Sequence, residues 1–288
     1  MSLAGETILR SLVRLRSRWP AASPSPVEET TEDYVRWQFD SSGKLFKLLP
    51  GLDLEGKAVL ELGCGTGGRT AYVAAQGARR AVGIDINRGE IAAARAICRA
   101  LFPELASRIE FYESEENERL SIGDFDVVLM IDTLEHVISP ARAVKLAFNY
   151  TQPGGVFYFG TQGWYHHRGS HTNLIPFVNL FFGDETILNV IRWQVSQRDY
   201  RPTRFDSSPP IERWRGLYDL RDRPEEYLNK ITIQQIKRLV RHSSFSRSHL
   251  VVHGFSRPPV VSTLVNPLRH VPGLQEVFHA YVVGVCQR

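Results

Sequence analysis

The sequence predicts an α/β protein built on a doubly wound, mostly parallel sheet of seven strands. Three observations predict it. Short apolar runs alternate with helical stretches from Lys57 onward, a glycine-rich turn follows the first run, and the second run ends on an acid about twenty residues later. Parallel strands need crossovers that pass over the sheet, so the alternation places helices on both faces.

Taken in order, Ile8 to Trp19 alternates apolar and basic residues at near-helical spacing, and a Pro/Ser-rich hinge follows at Pro20–Pro26. The basic segment is expected to be a mobile terminus, to pack on its own domain, or to lie on anionic lipid as a peripheral membrane contact. A helix is expected from about Val27 to Leu49, opening in acidic residues. Ala58–Leu62, Arg80–Ile84, Ile109–Tyr112, Phe125–Ile131 and Val156–Gly160 read as strands. Helices are expected near Thr70–Gln76, Gly89–Leu101 and Pro140–Tyr150. The rhythm then stops, and a helix is expected within Pro176–Trp193. Regular structure resumes with a helix at Thr232–His242, a strand at Ser248–Val252 and a last strand over His279–Val285. The chain therefore divides into a basic segment and hinge (1–26), a core with its N-terminal helix (27–161), a lid or substrate insertion (162–226) and a C-terminal completion of the sheet (227–288).

Composition bounds what this fold can be. Of 288 residues, 43% are hydrophobic and 23% charged, close to the soluble globular average, which excludes collagen, coiled coil and wholesale disorder. No apolar run reaches the roughly 18–20 residues of a membrane span, and no signal-peptide pattern is visible, so the expectation is neither a transmembrane nor a secreted protein. Cys64, Cys98 and Cys286 are few, odd in number and far apart, which points to a reducing cytoplasm. The net charge is +4, and only six of the 35 basic residues are lysine. That balance permits an anionic partner without demanding one, and nucleic acid is not favoured.

The most informative stretch is Val59 to Gly68, where an apolar strand runs into Gly63-Cys64-Gly65-Thr66-Gly67-Gly68 and then a helix. Glycines at alternate positions let the chain turn sharply and let a ligand approach the backbone. The nicotinamide fingerprint wants G-x-G-x-x-G, which this is not. Glu61, two residues before the first glycine, would repel a pyrophosphate, and it can accept a hydrogen bond from the loop or from a cationic ligand. These residues resemble the class I S-adenosylmethionine-dependent methyltransferases, a broad group that includes the ubiquinone-biosynthesis methyltransferases, over about residues 55–161.

The resemblance implies a Rossmann-like core with S-adenosylmethionine as cofactor and S-adenosylhomocysteine as product. It assigns the cofactor to Glu61, Gly63, Cys64, Gly65 and Gly67. Asp85, followed by Ile86, ends the second strand and would accept the ribose hydroxyls. Glu115 or Glu116, after the third strand, would meet the adenine amine. Asp132 and Thr133 end the fourth strand at the cofactor edge. In some relatives an acid followed three residues later by Glu-His binds a divalent cation, and Asp132, Glu135 and His136 match that spacing; a cation is permitted here but not favoured, and no metal site is assigned.

Methyl transfer displaces at an already activated carbon, so positioning carries much of the work, and a hydroxyl acceptor gains from a base. His136 is the first candidate, followed by His166 and His167, with His171 close behind in the same post-strand segment. Phe177, Phe181, Phe182, Trp193, Tyr200 and Trp214 are expected to form an apolar acceptor pocket. The expected activity is methylation of a small-molecule hydroxyl on a lipid, quinone, glycan or specialised metabolite. The alternatives are a non-catalytic cofactor-binding partner protein, an RNA methyltransferase and a nicotinamide oxidoreductase.

Overall fold

The computed structural model describes residues 3–17, 30–115, 118–172, 174–198, 227–256 and 259–288. The hinge at Pro20–Pro26, Glu116 and the insertion residues 199–226, Tyr200 and Trp214 among them, lie outside the described residues.

Helix α1 (Leu3–Ser17) is followed by α2 (Thr31–Phe46). The second helix starts later than its acidic composition suggests because Thr30 and Asp33 form a capping box, each side chain taking the other's backbone N–H. The alternating core then runs β1 (Ala58–Leu62), α3 (Gly68–Ala75), β2 (Arg80–Asp85), α4 (Arg88–Leu101), β3 (Ile109–Glu113), β4 (Phe125–Ile131), α5 (Pro140–Tyr150) and β5 (Thr151–Thr161).

Beyond the core, the helix expected within Pro176–Trp193 is two helices, α6 (Val178–Phe181) and α7 (Asp184–Val195), with Gly183 between them as N-cap of the second. The chain closes with α8 (Ile233–Arg241), β6 (Arg247–His253), α9 (Pro259–Val265) and β7 (Tyr281–Gln287). The last strand starts two residues later than expected, because His279 is engaged with Gly163 and Gln275 instead of the sheet.

All seven strands form one sheet in the order β3-β2-β1-β4-β5-β7-β6. β1 to β5 pair in parallel, and β7 is antiparallel to both β5 and β6. One face buries Leu60, Val82, Val128, Phe157 and Phe159, the other Val59, Ala81, Leu129, Tyr158 and Val283. All five residues of β1 are buried, as a strand covered on both faces requires. A fully buried side chain such as Leu60 contributes about 2 kcal/mol by leaving water. Order reverses between β1 and β4, which opens a crevice at the carboxyl ends of β1, β2 and β4.

Candidate cofactor and acceptor site

A cavity of about 350 Å³ occupies that crevice. Its floor is the turn after β1. Gly63 sits at φ 75°, and a Cβ there would come within 2.3–2.9 Å of the Thr133 side chain, so only glycine lets the β1 and β4 ends approach. Gly65, at φ 52°, faces open space and donates its N–H to Asp85 Oδ2 at 2.8 Å. Asp85 Oδ1 accepts from the Asn87 N–H at 2.9 Å, and burial raises the pKa of this carboxyl. The wall continues through Ile86, Ser114, Glu115, Asp132, Thr133 and His136.

Three residues expected at the cofactor stand behind this wall. Cys64 and Gly67 are not among the lining residues, and the Cys64 thiol is buried, which pushes its pKa up. Glu61 is buried as well, where its oxygens meet Arg69 Nη1 at 3.1 Å and the Thr70 hydroxyl at 2.5 Å. Both partners of Glu61 stand on α3, so its carboxylate ties β1 to that helix. Burial pushes its pKa up, against Arg69, which pulls it down. Burial also works against the Arg69 charge, and Glu61 and Asp132 more than offset it, so the guanidinium stays ionised.

Asp132 adopts φ 53°, unusual for a residue with a side chain, and accepts from the Tyr281 hydroxyl at 2.7 Å while Arg69 lies 3.6 Å away. These contacts engage Oδ1 and set the carboxylate beside the chain's own cation, Arg69. Among the described residues, the group able to hold a metal is instead Glu135, His136 and His171, with donor atoms within 4.8 Å of one another. Two nitrogens and a carboxylate oxygen suit a divalent transition cation. Glu135 is otherwise buried and bonded by Thr161 at 2.8 Å, and burial raises its pKa, so a cation there would have to displace its proton.

His136 lines the cavity, and His171 lies beside it with ring centroids 5.0 Å apart. His166 and His167 do not line it. After β5 the chain turns at Gly163 and packs them against His279 and Phe255, leaving His166 only 1% exposed. Burial drives the His166 pKa down to about 2 and those of His167 and His279 to about 4. Of the aromatic residues expected to form the acceptor pocket, the four that are described, Phe177, Phe181, Phe182 and Trp193, do not line this cavity. Phe181 is 74% exposed, and Trp193 packs with α1 beneath Arg10 and Arg14.

The cavity's aromatic surface comes from α2, through Tyr34 and Trp37, whose rings stack at 5.5 Å, with Gln38 beside them. Sequence reasoning missed these three and Arg69. Their i, i+3, i+4 spacing gives one face of a helix, a signal that did not say which face meets the cavity.

This strand order and this glycine turn define a nucleoside-binding α/β core of the methyltransferase kind. The chain belongs to the class I S-adenosylmethionine-dependent methyltransferases: a family profile described as "Methyltransferase domain" matches residues 34–246. It is 36% identical over 110 residues to a ubiquinone biosynthesis O-methyltransferase from Aromatoleum aromaticum, covering 38% of this chain and 45% of that protein. It is 28% identical over 149 residues to another from Aeromonas salmonicida, covering 51% and 58%. The chain thus spans about half the length of these relatives. Among solved structures, an S-adenosylmethionine-dependent methyltransferase from Mesorhizobium loti is similar at 17% identity and TM-score 0.49, covering 88% of this chain and 98% of that one.

Proposed function

We propose that the protein transfers a methyl group from S-adenosylmethionine to a hydroxyl on a small molecule. The observation that carries this reading is the cavity itself, in which Gly63 and Gly65, the Asp85 carboxylate and His136 line one space. Asp85 would accept the ribose hydroxyls, Glu115 and Ser114 would meet the adenine edge, and Asp132 with Arg69 would face the amino-acid end. Tyr34 and Trp37 would close the site against water.

His136 would act as the base. Its Nδ1 lies 3.1 Å from the Tyr227 carbonyl oxygen, which can only accept, so Nδ1 carries the proton and Nε2 holds the lone pair in the neutral ring. An Nε2 so disposed takes the acceptor's proton as its oxygen attacks the methyl carbon and the neutral thioether leaves. The names of the similar relatives, ubiquinone biosynthesis O-methyltransferases, support a hydroxyl acceptor. Incubation with methyl-labelled S-adenosylmethionine and a panel of catechols, phenols and hydroxylated lipids tests this. Label in an ether product is expected, and none with any hydroxyl acceptor would overturn it.

A second reading rests on the Glu135, His136 and His171 group, where a divalent cation would lower the pKa of the acceptor hydroxyl. Loss of turnover in EDTA, restored by a divalent metal, would favour it over the base.

No helix among the described residues is long and apolar enough to cross a membrane. We place the protein in the cytoplasm, a reading supported by three buried free cysteines. Peripheral contact with anionic lipid is supported by α1, where Ile8 and Leu15 are 55% and 56% exposed on a helix carrying Arg14 and Arg16. Co-sedimentation with phosphatidylglycerol vesicles, lost in Leu15→Asp, tests that contact.

A further inference from the structure

The turn that carries His136 has little regular structure of its own. His136 N–H donates to Thr133 O at 2.8 Å, and Leu134, Glu135 and Val137 lie outside the helices and strands. Backbone carbonyls in such a place need donors, and without them the turn drifts among conformations.

One residue, far away in sequence, supplies all three. Asn229 Nδ2 donates to Leu134 O and to Val137 O, each at 2.8 Å, and its backbone N–H donates to Glu135 O at 2.8 Å. Its Oδ1 accepts from the Ile231 N–H at 3.0 Å, so three contacts orient the side-chain amide and a fourth, from the backbone N–H, holds the residue. The flanking residues hold it there. Leu228 is buried with Leu9 and Trp164, Ile231 is buried against the sheet, and Ile231 O accepts from Trp164 N–H at 2.8 Å. Two residues before Asn229, the Tyr227 carbonyl meets His136 Nδ1.

We infer that Asn229 is a positioning residue for His136: by clamping the Leu134–Val137 turn it sets the imidazole against the Tyr227 carbonyl and so fixes which ring nitrogen carries the proton. This rests on His136 as the proposed base. A neutral histidine in water prefers the proton on Nε2, which would leave no lone pair there to take a proton from the acceptor. The clamp reverses that preference. Sequence reading offered no hint of it, since Asn229 lies more than ninety residues from the turn.

The test uses the full chain labelled with 15N-histidine, with the His136 signals assigned by their loss in His136→Ala. In the wild type at pH 8, the shifts are expected to show protonated Nδ1. In Asn229→Ala, and in Asn229→Asp, which keeps the acceptor for Ile231 and loses both side-chain donors, the proton is expected to move toward Nε2. Turnover with the fastest acceptor of the panel above is expected to fall roughly 10- to 100-fold, the scale of a small misplacement, with calorimetric affinity for S-adenosylhomocysteine within about twofold of wild type. An unchanged tautomer in both variants overturns the inference, as does a parallel loss of turnover and cofactor affinity in both, which marks a purely structural role. If His136→Ala keeps full turnover, the base reading fails; if that variant is inactive while the Asn229 variants match wild type, only the positioning role fails.

Discussion

Two groups of histidine lie on either side of the same short segment and have opposite surroundings. His136 and His171 meet at the wall of the cavity, and a backbone carbonyl orients the first of them. His166, His167 and His279 meet in the interior against Phe255, where His166 Nε2 and His167 Nδ1 are buried with no hydrogen-bond partner among the described residues. In the proposed function the first group would handle a proton, while the second is held neutral by burial and becomes a liability once protonated. Residue type and sequence proximity say nothing about which is which. The direction of the chain after β5 decides it.

The largest expected effect separates the two groups directly. His136→Ala is expected to lower turnover by about 10²–10⁴-fold, the usual worth of a general base, with cofactor affinity little changed. His166→Phe is expected to keep turnover within a few-fold of wild type. Steady-state kinetics on both variants checks the pair, and a reversed pattern breaks the comparison.

Next in size is Glu61→Gln, which would leave the Arg69 charge buried without its main partner. A loss of about 3 kcal/mol in denaturant unfolding is expected, because stranding one member of a buried pair costs that much. Asp85→Ala is expected to cost about 2 kcal/mol of S-adenosylhomocysteine binding, the scale of hydrogen bonds to a charged acceptor.

The pH dependence of stability sharpens the interior side of the comparison. Unfolded histidine binds a proton near 6.5, whereas folded His167 and His279 do so only near 4 and His166 near 2. Below about pH 6.5 the unfolded state therefore holds more protons, and this part of the stability, present above that value, drains away as pH falls toward 4 and beyond. Thermal melts in the wild type should drop across that window. His166→Phe should flatten the drop, the smallest of the expected effects, and an unchanged slope would remove the histidines as its cause.

Much of the core was legible because its signals are local. The strands were placed by apolar runs, the glycine turn by spacing, and Asp85 by its position at a strand end; β1 to β4 and β6 lie within a residue of expectation, whereas β5 starts five residues early at Thr151 and β7 two residues late. What stayed hidden depends on contacts between distant segments. Glu61 was legible as an acid at the right place, yet its partner Arg69 decided that it faces the helix and not the cavity. Asp132 was legible as an acid at a strand end, yet its hydrogen-bond partner is Tyr281, 149 residues downstream. Trp193 became packing for α1, and the aromatic surface of the site came from Tyr34 and Trp37 on a helix that precedes the whole core. No periodicity within one segment reveals which other segment will cover it.

The proposed function requires the cavity at the β1 and β2 ends to seat a sulfonium nucleoside. Isothermal titration of S-adenosylhomocysteine into wild type, His136→Ala and Asp85→Ala tests it most directly. Binding with one-to-one stoichiometry to the first two proteins, weakened roughly 10- to 100-fold in the third, is expected. Equal binding in all three, or none in the wild type, would contradict it.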